Sequence, residues 1–258
     1  MKYRDLTLLS IEEMFPLGPT KQRAEEDYLV FACDSSASIG EKANDQLASP
    51  NPLTAQTALR VPLIELRAVN AEPVLAFYLV NNEMNPTGLA YQEGFQAELK
   101  RAGFPHIQVN GSTEENMLTT MSALGIVLMG KAQNAKGLWI RRVVSGDRVF
   151  QLKRPRCGQA VLDEMDKLVS YQDIDLLLSR PDLVHEICPI GSKGALNEAG
   201  QVADCNQLSF KANPQVEGLS IHQDSAGPAT ALVVVGTDQL GSFLKEHFDE
   251  VYDLGEMV

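Results

Sequence analysis

Apolar residues fall along this chain in two rhythms. Leu6 to Ser10 and Tyr28-Leu29-Val30-Phe31-Ala32-Cys33 are short runs, the second rich in aromatic and β-branched residues, and both predict strands. From Pro52 to Val69 the positions Leu59, Leu63, Leu66 and Val69 recur every three or four residues, which predicts a helix with one buried face despite Pro62. Pro73 pushes Glu72 out of the α region and ends that helix, and Val74 to Val80 follows as a strand. Tyr91 to Ala102 reads as a second amphipathic helix closed by Gly103. Ile107 and Val109 then enter a polar stretch, Asn110 to Asn116, and a further apolar run from Ile126 to Met129 closes on Gly130. Strand and helix alternate, so the fold class expected is α/β.

The pattern breaks twice. Phe15-Pro16-Leu17-Gly18-Pro19 is irregular by composition, and Val144-Ser145-Gly146-Asp147 reads as a turn. The second marks a domain boundary and gives an N-terminal domain over 1–144 and a C-terminal α/β domain over 145–258. In the C-terminal half, Arg148 to Leu152 resumes a strand, Leu162 to Val169 and Leu176 to Leu178 are helical, and His185 to Pro189 leads to a glycine turn, Gly191 to Gly194. A helix over Ala195 to Cys205, a strand over Ala231 to Val235, a helix over Phe243 to Phe248 and the terminal Val251 to Glu256 complete the reading.

Composition narrows what such a chain does. Its 258 residues, 44% of them hydrophobic, suffice for one large domain or two ordinary ones. A formal charge of -12 disfavours nucleic acid and anionic membranes as partners, and an anionic nucleotide would need metal ions or local Lys and Arg to offset that field. The most apolar long window, Leu63 to Val80, holds Glu65, Arg67, Glu72 and Pro73 and is no membrane span, and the N-terminus lacks the pattern of a secretory signal. A soluble cytoplasmic protein is expected. Cys33, Cys157, Cys188 and Cys205 form no C-x-x-C pair and read as buried free thiols.

The candidate chemistry sits in loops. In Asn110-Gly111-Ser112-Thr113-Glu114-Glu115-Asn116, Gly111 permits close approach of a ligand or a positive φ, Ser112 and Thr113 offer donors to phosphate oxygens, and Glu114 and Glu115 are of the type that holds Mg²⁺; a polar turn or a capped helix start is the equal alternative. Asp34, leaving a strand into Ser35-Ser36-Ala37-Ser38-Ile39-Gly40-Glu41-Lys42, is a metal-ligand candidate or a cap. Gly191-Ser192-Lys193-Gly194 before a helix suits an anion but lacks Walker spacing, and a helix-leading turn is the simpler reading. Histidines 106, 185, 222 and 247 show no hydrolase or zinc-protease signature.

Together, Phe31-Ala32-Cys33-Asp34, the helix Ala58 to Pro73, Asn110-Gly111-Ser112-Thr113 and Val251 to Glu256 resemble the family of aminoimidazole ribonucleotide synthase, thiamine monophosphate kinase and selenophosphate synthetase. The resemblance spans nearly the whole chain. It implies a two-domain fold whose N-terminal sheet pairs with a second copy into a barrel-like homodimer, with ATP and Mg²⁺ as cofactors. It implies Asp34, Glu65, Glu114 and Glu115 at the metal, Asn110, Gly111, Ser112, Thr113 and Lys193 on the nucleotide, and Asp34 and Lys42 in catalysis. The sequence departs from the family where Ser112 replaces the Gly-Asp-Thr aspartate and where only Glu25, Glu26 and Asp27 stand in for paired aspartates. An α-ribazole kinase-like branch fits the loops best, with α-ribazole phosphorylated to its 5′-phosphate in cobamide salvage. A synthase that uses ATP to activate an amide, and a nucleotide sensor without turnover, are the alternatives.

Overall fold

The computed structural model describes residues 1–11, 27–133 and 137–258. The expectations for Phe15 to Pro19, Glu25 and Glu26 lie outside the described residues. Two compact units divide the chain, one of residues 1–66 and 71–138 and one of residues 67–70 and 139–258.

The first unit is a six-stranded sheet covered on one face by two helices. Strands β1 (Lys2–Tyr3), β2 (Leu6–Ser10), β3 (Asp27–Ala37), β6 (Glu72–Val80), β7 (Gln108–Thr113) and β8 (Ala123–Gln133) run in the order β1-β2-β3-β8-β6-β7, and a small parallel pair, β4 (Ile39–Gly40) with β5 (Leu47–Ala48), lies apart. All neighbours in the main sheet are antiparallel except β6 and β7, which are parallel and joined across the sheet by helix α2 (Leu89–Ala102). Helix α1 (Asn51–Ala68) precedes β6, with Pro52 in its first turn, where a missing N–H costs nothing, and Pro62 inside.

Alternation along the strands sorts the two faces. Ala32, Ala76, Tyr78, Val80, Leu124, Ile126 and Leu128 are buried, as are Leu59, Leu63 and Leu66 of α1 and Tyr91, Phe95 and Leu99 of α2. Tyr78 stacks on Phe95 with ring centroids 5.0 Å apart, so the helices cover this face. Each such Leu or Phe removed from water contributes about 1.5–3 kcal/mol. Residues of opposite parity form the other face, on which Phe77 is 38% and Leu79 49% exposed and Phe31, Val127 and Met129 are half-buried.

Two expectations for this unit are corrected. Asp34 to Ala37 do not leave the strand: β3 continues to Ala37, paired residue for residue with Ala123 to Ile126 of β8. Asn110 to Thr113 form no loop either, because the tetrapeptide is the end of β7, paired with Phe77 to Val80. In both cases a long partner strand supplies ladder hydrogen bonds that outweigh the weak strand propensity of Ser, Asn and Gly.

The second unit holds a five-stranded antiparallel sheet in the order β10 (Val184–Pro189), β12 (Leu232–Gly236), β9 (Arg148–Leu152), β13 (Val251–Met257), β11 (Phe210–Ala212). Helices α3 (Gln159–Asp163), α4 (Tyr171–Leu178), α5 (Ala195–Cys205) and α6 (Leu240–His247) complete it. Its core gathers Val149, Cys188, Ile190, Ala199, Val202, Val233, Val235, Leu254 and Met257. Ser170 caps α4 through a reciprocal box with Asp173. The helix expected over Leu162 to Val169 is shorter and earlier, ending at Asp163 before a single 3₁₀ turn, Met165–Lys167. Cysteines 33 and 157 are exposed, against the expectation of buried thiols, and Cys33 owes this to its parity on β3, which places it on the uncovered face. Among the described residues no helix is long and apolar enough to cross a membrane.

Candidate functional site

A cleft of about 410 Å³ opens in the first unit beyond the C-terminal ends of β6 and β7, lined among others by Glu41, Lys42, Asn51, Glu83, Thr87 and Leu118. This is where open sheets with parallel strands present their loops to ligands. The Lys42 ammonium donates to Glu83 Oε2 at 2.6 Å, and the Thr87 hydroxyl donates to Glu83 Oε1. Burial alone would raise the Glu83 carboxyl, but these two donors outweigh it and hold the pKa below the usual carboxylate range.

Asp45 and Asn82 brace the lining from behind, each bonded to a residue that faces the cleft. Asp45 accepts from the backbone N–H of Lys42 (2.8 Å), the backbone N–H of Ser122 (2.7 Å) and the Ser122 hydroxyl (2.7 Å). These donors lower its pKa against the opposing pull of burial. Gly40 makes the packing possible, since a Cβ there would fall 2.2 Å from Ser122 Oγ. Asn82, with no exposed surface, donates to Thr119 Oγ1 (2.7 Å) and the Met121 carbonyl (2.8 Å) and accepts from the Ala123 N–H (3.0 Å). One side chain thus anchors both sides of the 119–123 bend. Burial pushes the Tyr91 phenol up, Ser122 opposes that shift, and the carboxylates of Asp45, Glu83 and Glu41 add to it.

A HypE structure in complex with ATP covers 95% of the chain (80% of its own) at 12% identity and a TM-score of 0.61. Thiamine monophosphate kinase from Aquifex aeolicus covers 89% (84% of its own) at 12% identity and 0.59, and the Stenotrophomonas maltophilia enzyme 99% (89% of its own) at 15% and 0.58. The chain has the aminoimidazole ribonucleotide synthase-related fold. No protein-family model matches it, and no curated protein resembles it in sequence.

On this fold the residues singled out in the sequence are dispersed. Lys42 lines the cleft, and Thr113 to Glu115 lie beside it: the Glu114 N–H donates to the Asn82 carbonyl (3.0 Å), and Glu115 Oε1 accepts from the Met84 N–H and the Thr113 hydroxyl, both at 2.8 Å. Asp34 pairs with Ile126, four residues along β8 from Ser122 and so about 13 Å from it at 3.3 Å per residue, and it does not line the cleft. Burial raises its carboxyl to about 6, only partly offset by the Ser35 N–H. Gly111 does not have positive φ; a Cβ there would lie 2.3 Å from the Tyr78 carbonyl, so its smallness serves strand packing. Glu65 is buried on α1. Lys193 belongs to the second unit, on an exposed turn whose Gly194 packs so tightly that a Cβ would meet the Gln223 backbone at 2.5 Å.

The carboxylates named for Mg²⁺ do not form a shell. Among the described residues no three His, Cys, Asp or Glu side chains gather to hold a metal. Glu114, held low by the N–H groups of Asn116 and Met117, is spent on its own turn. Asn51, Asp45, Asn82 and Glu83 escaped the sequence reading because each acts across a distance in sequence. The only local trace was the small-residue and acidic content of the 35–45 segment.

Proposed function

We propose that this protein is an ATP-dependent phosphotransferase that phosphorylates a small nucleoside, with α-ribazole, converted to its 5′-phosphate, as the preferred acceptor. The observation that carries this reading is a cleft of nucleoside size at the C-terminal ends of the parallel strand pair, on a fold shared with a thiamine monophosphate kinase and a HypE crystallised with ATP. In the reaction an acceptor hydroxyl oxygen attacks the γ-phosphorus, the bond from that phosphorus to the β–γ bridging oxygen breaks, ADP leaves, and the hydroxyl proton passes to solvent. Such a transfer needs positioning and charge neutralisation more than a protein nucleophile. Lys42, already matched by Glu83, fixes the cleft wall in this reading. Asp34, some 13 Å along β8 from Ser122 by the strand rise, keeps in this reading the place on the nucleotide side that the family resemblance implies for it. The Thr113 hydroxyl, which donates to Glu115, exchanges that partner for a phosphate oxygen in this reading. Bound magnesium would supply neutralisation of the phosphate charge, and no step is assigned to a protein-held ion.

The uncovered apolar face of the first sheet, with Phe77 and Leu79 exposed, supports a homodimer in which a second copy covers it. Incubation with ATP, Mg²⁺ and α-ribazole, with products read by mass, tests the function: α-ribazole phosphate plus ADP is expected, and ATP consumed with free phosphate and a cyclised product would favour a synthase instead. Binding of ATP without turnover over a nucleoside panel would favour a sensor.

A further inference from the structure

Asn51 sits at the start of α1 on the wall of the cleft, 5% exposed, and its Oδ1 is buried without a hydrogen-bond partner. Its backbone N–H is taken by Glu41 Oε2 at 3.4 Å, so the helix N-terminus already has its anion. A buried amide left unpaired is costly, and it persists where a ligand completes it. The remaining lining divides into apolar patches, Ala43, Pro86, Ala90 and Leu118, and hydroxyls, Thr119 and Thr120. That division suits a flat ring with a few polar substituents.

Charge decides which ring. Two carboxylates, Glu41 and Glu83, share the lining with one ammonium, that of Lys42, which is itself paired with Glu83, and a third, Asp45, accepts the Lys42 backbone N–H. A phosphomonoester would add about -1.5 to -2 of charge to a cleft that is already negative. A neutral or cationic molecule meets no such penalty.

We propose that this cleft seats an uncharged or cationic, ring-bearing acceptor of nucleoside size, that the Asn51 amide is its principal polar contact, and that the cleft rejects the phosphorylated form of the same molecule. Calling the occupant an acceptor rests on the phosphotransferase function proposed above; the binding selectivity does not. Unphosphorylated substrate then enters and the phosphorylated product is expelled by the same carboxylates.

Calorimetric titration of the full chain without ATP tests this, using α-ribazole and a panel of uncharged ribonucleosides, each beside its 5′-monophosphate. At least one nucleoside is expected to bind, at least tenfold tighter than its monophosphate. Asn51→Leu should weaken that binding at least tenfold. Should that variant fail to fold, Leu118→Arg on the fully exposed rim keeps the test open, because it should raise monophosphate affinity and shrink the discrimination at least threefold. Equal or tighter binding of the monophosphate, no nucleoside binding at millimolar concentration, or unchanged binding by the Asn51 variant overturns the proposal. Nucleoside binding without phosphoryl transfer refutes the proposed function and leaves the cleft assignment standing; transfer without the Asn51 dependence does the reverse.

Discussion

Lys42 and Glu83 stand 41 positions apart in the chain and meet at 2.6 Å, with side chains 16% and 29% exposed. The pair closes the loop after β4 onto the segment after β6 and gives the cleft a fixed wall. Removing one partner of so enclosed a pair leaves the other charge uncompensated. Lys42→Met is therefore expected to lower unfolding free energy by about 1–3 kcal/mol. The double variant Lys42→Met/Glu83→Gln should recover most of that loss in a denaturant-melt cycle, and additive losses would show that the two do not interact.

Asp34 makes stability depend on pH. Its folded carboxyl lies at about 6 against 3.8 in a free side chain, so between those values the folded state binds more protons than the unfolded one. Its contribution is complete below about 4 and is lost as pH rises through 6. Asp34→Asn removes that loss and should be more stable than the parent above pH 7 by on the order of 1–3 kcal/mol, with the gap closing by pH 4. Chemical melts across pH 4 to 8 read this directly. Turnover of the same variant should fall if the proposed role on the nucleotide side holds.

Asn82 makes three hydrogen bonds to the 119–123 bend from a fully buried position. Asn82→Ala should cost about 2–4 kcal/mol, because each lost bond also strands a partner. Limited proteolysis should then cut first near Met117 and Leu118, which are 72% and 95% exposed. Unchanged cleavage there would mean the bend is held by other contacts.

Gly111 separates two uses of a small residue. If its smallness serves packing against Tyr78, Gly111→Ala lowers the melting temperature equally with and without ATP, since the added Cβ would collide with the Tyr78 carbonyl. A variant as stable as the parent but blind to ATP would return Gly111 to the nucleotide.

Phe77→Lys/Leu79→Lys on the uncovered sheet face should turn the expected homodimer into monomer by light scattering at micromolar protein, while the helix-covered core stays intact. A monomeric parent protein would remove the homodimer from the proposed function.

The periodicity of the chain determined most of its helices and strands, though not the helix expected over Leu162 to Val169. Leu59, Leu63 and Leu66 specify α1, Tyr28 to Cys33 specify the heart of β3, and Ala195 to Cys205 form a helix with the bounds read from sequence. These signals are local, resting on which side chains recur on one face. Only tertiary structure decided that Asp34 to Ala37 and Asn110 to Thr113 are strand, because their ladder partners lie on β8 and β6, far away in sequence. The cleft belongs to the same class of fact. Lys42, Asn51, Glu83 and Asn82 meet because β3, β6 and β8 bring their ends together, and no spacing along the chain records a meeting made through space.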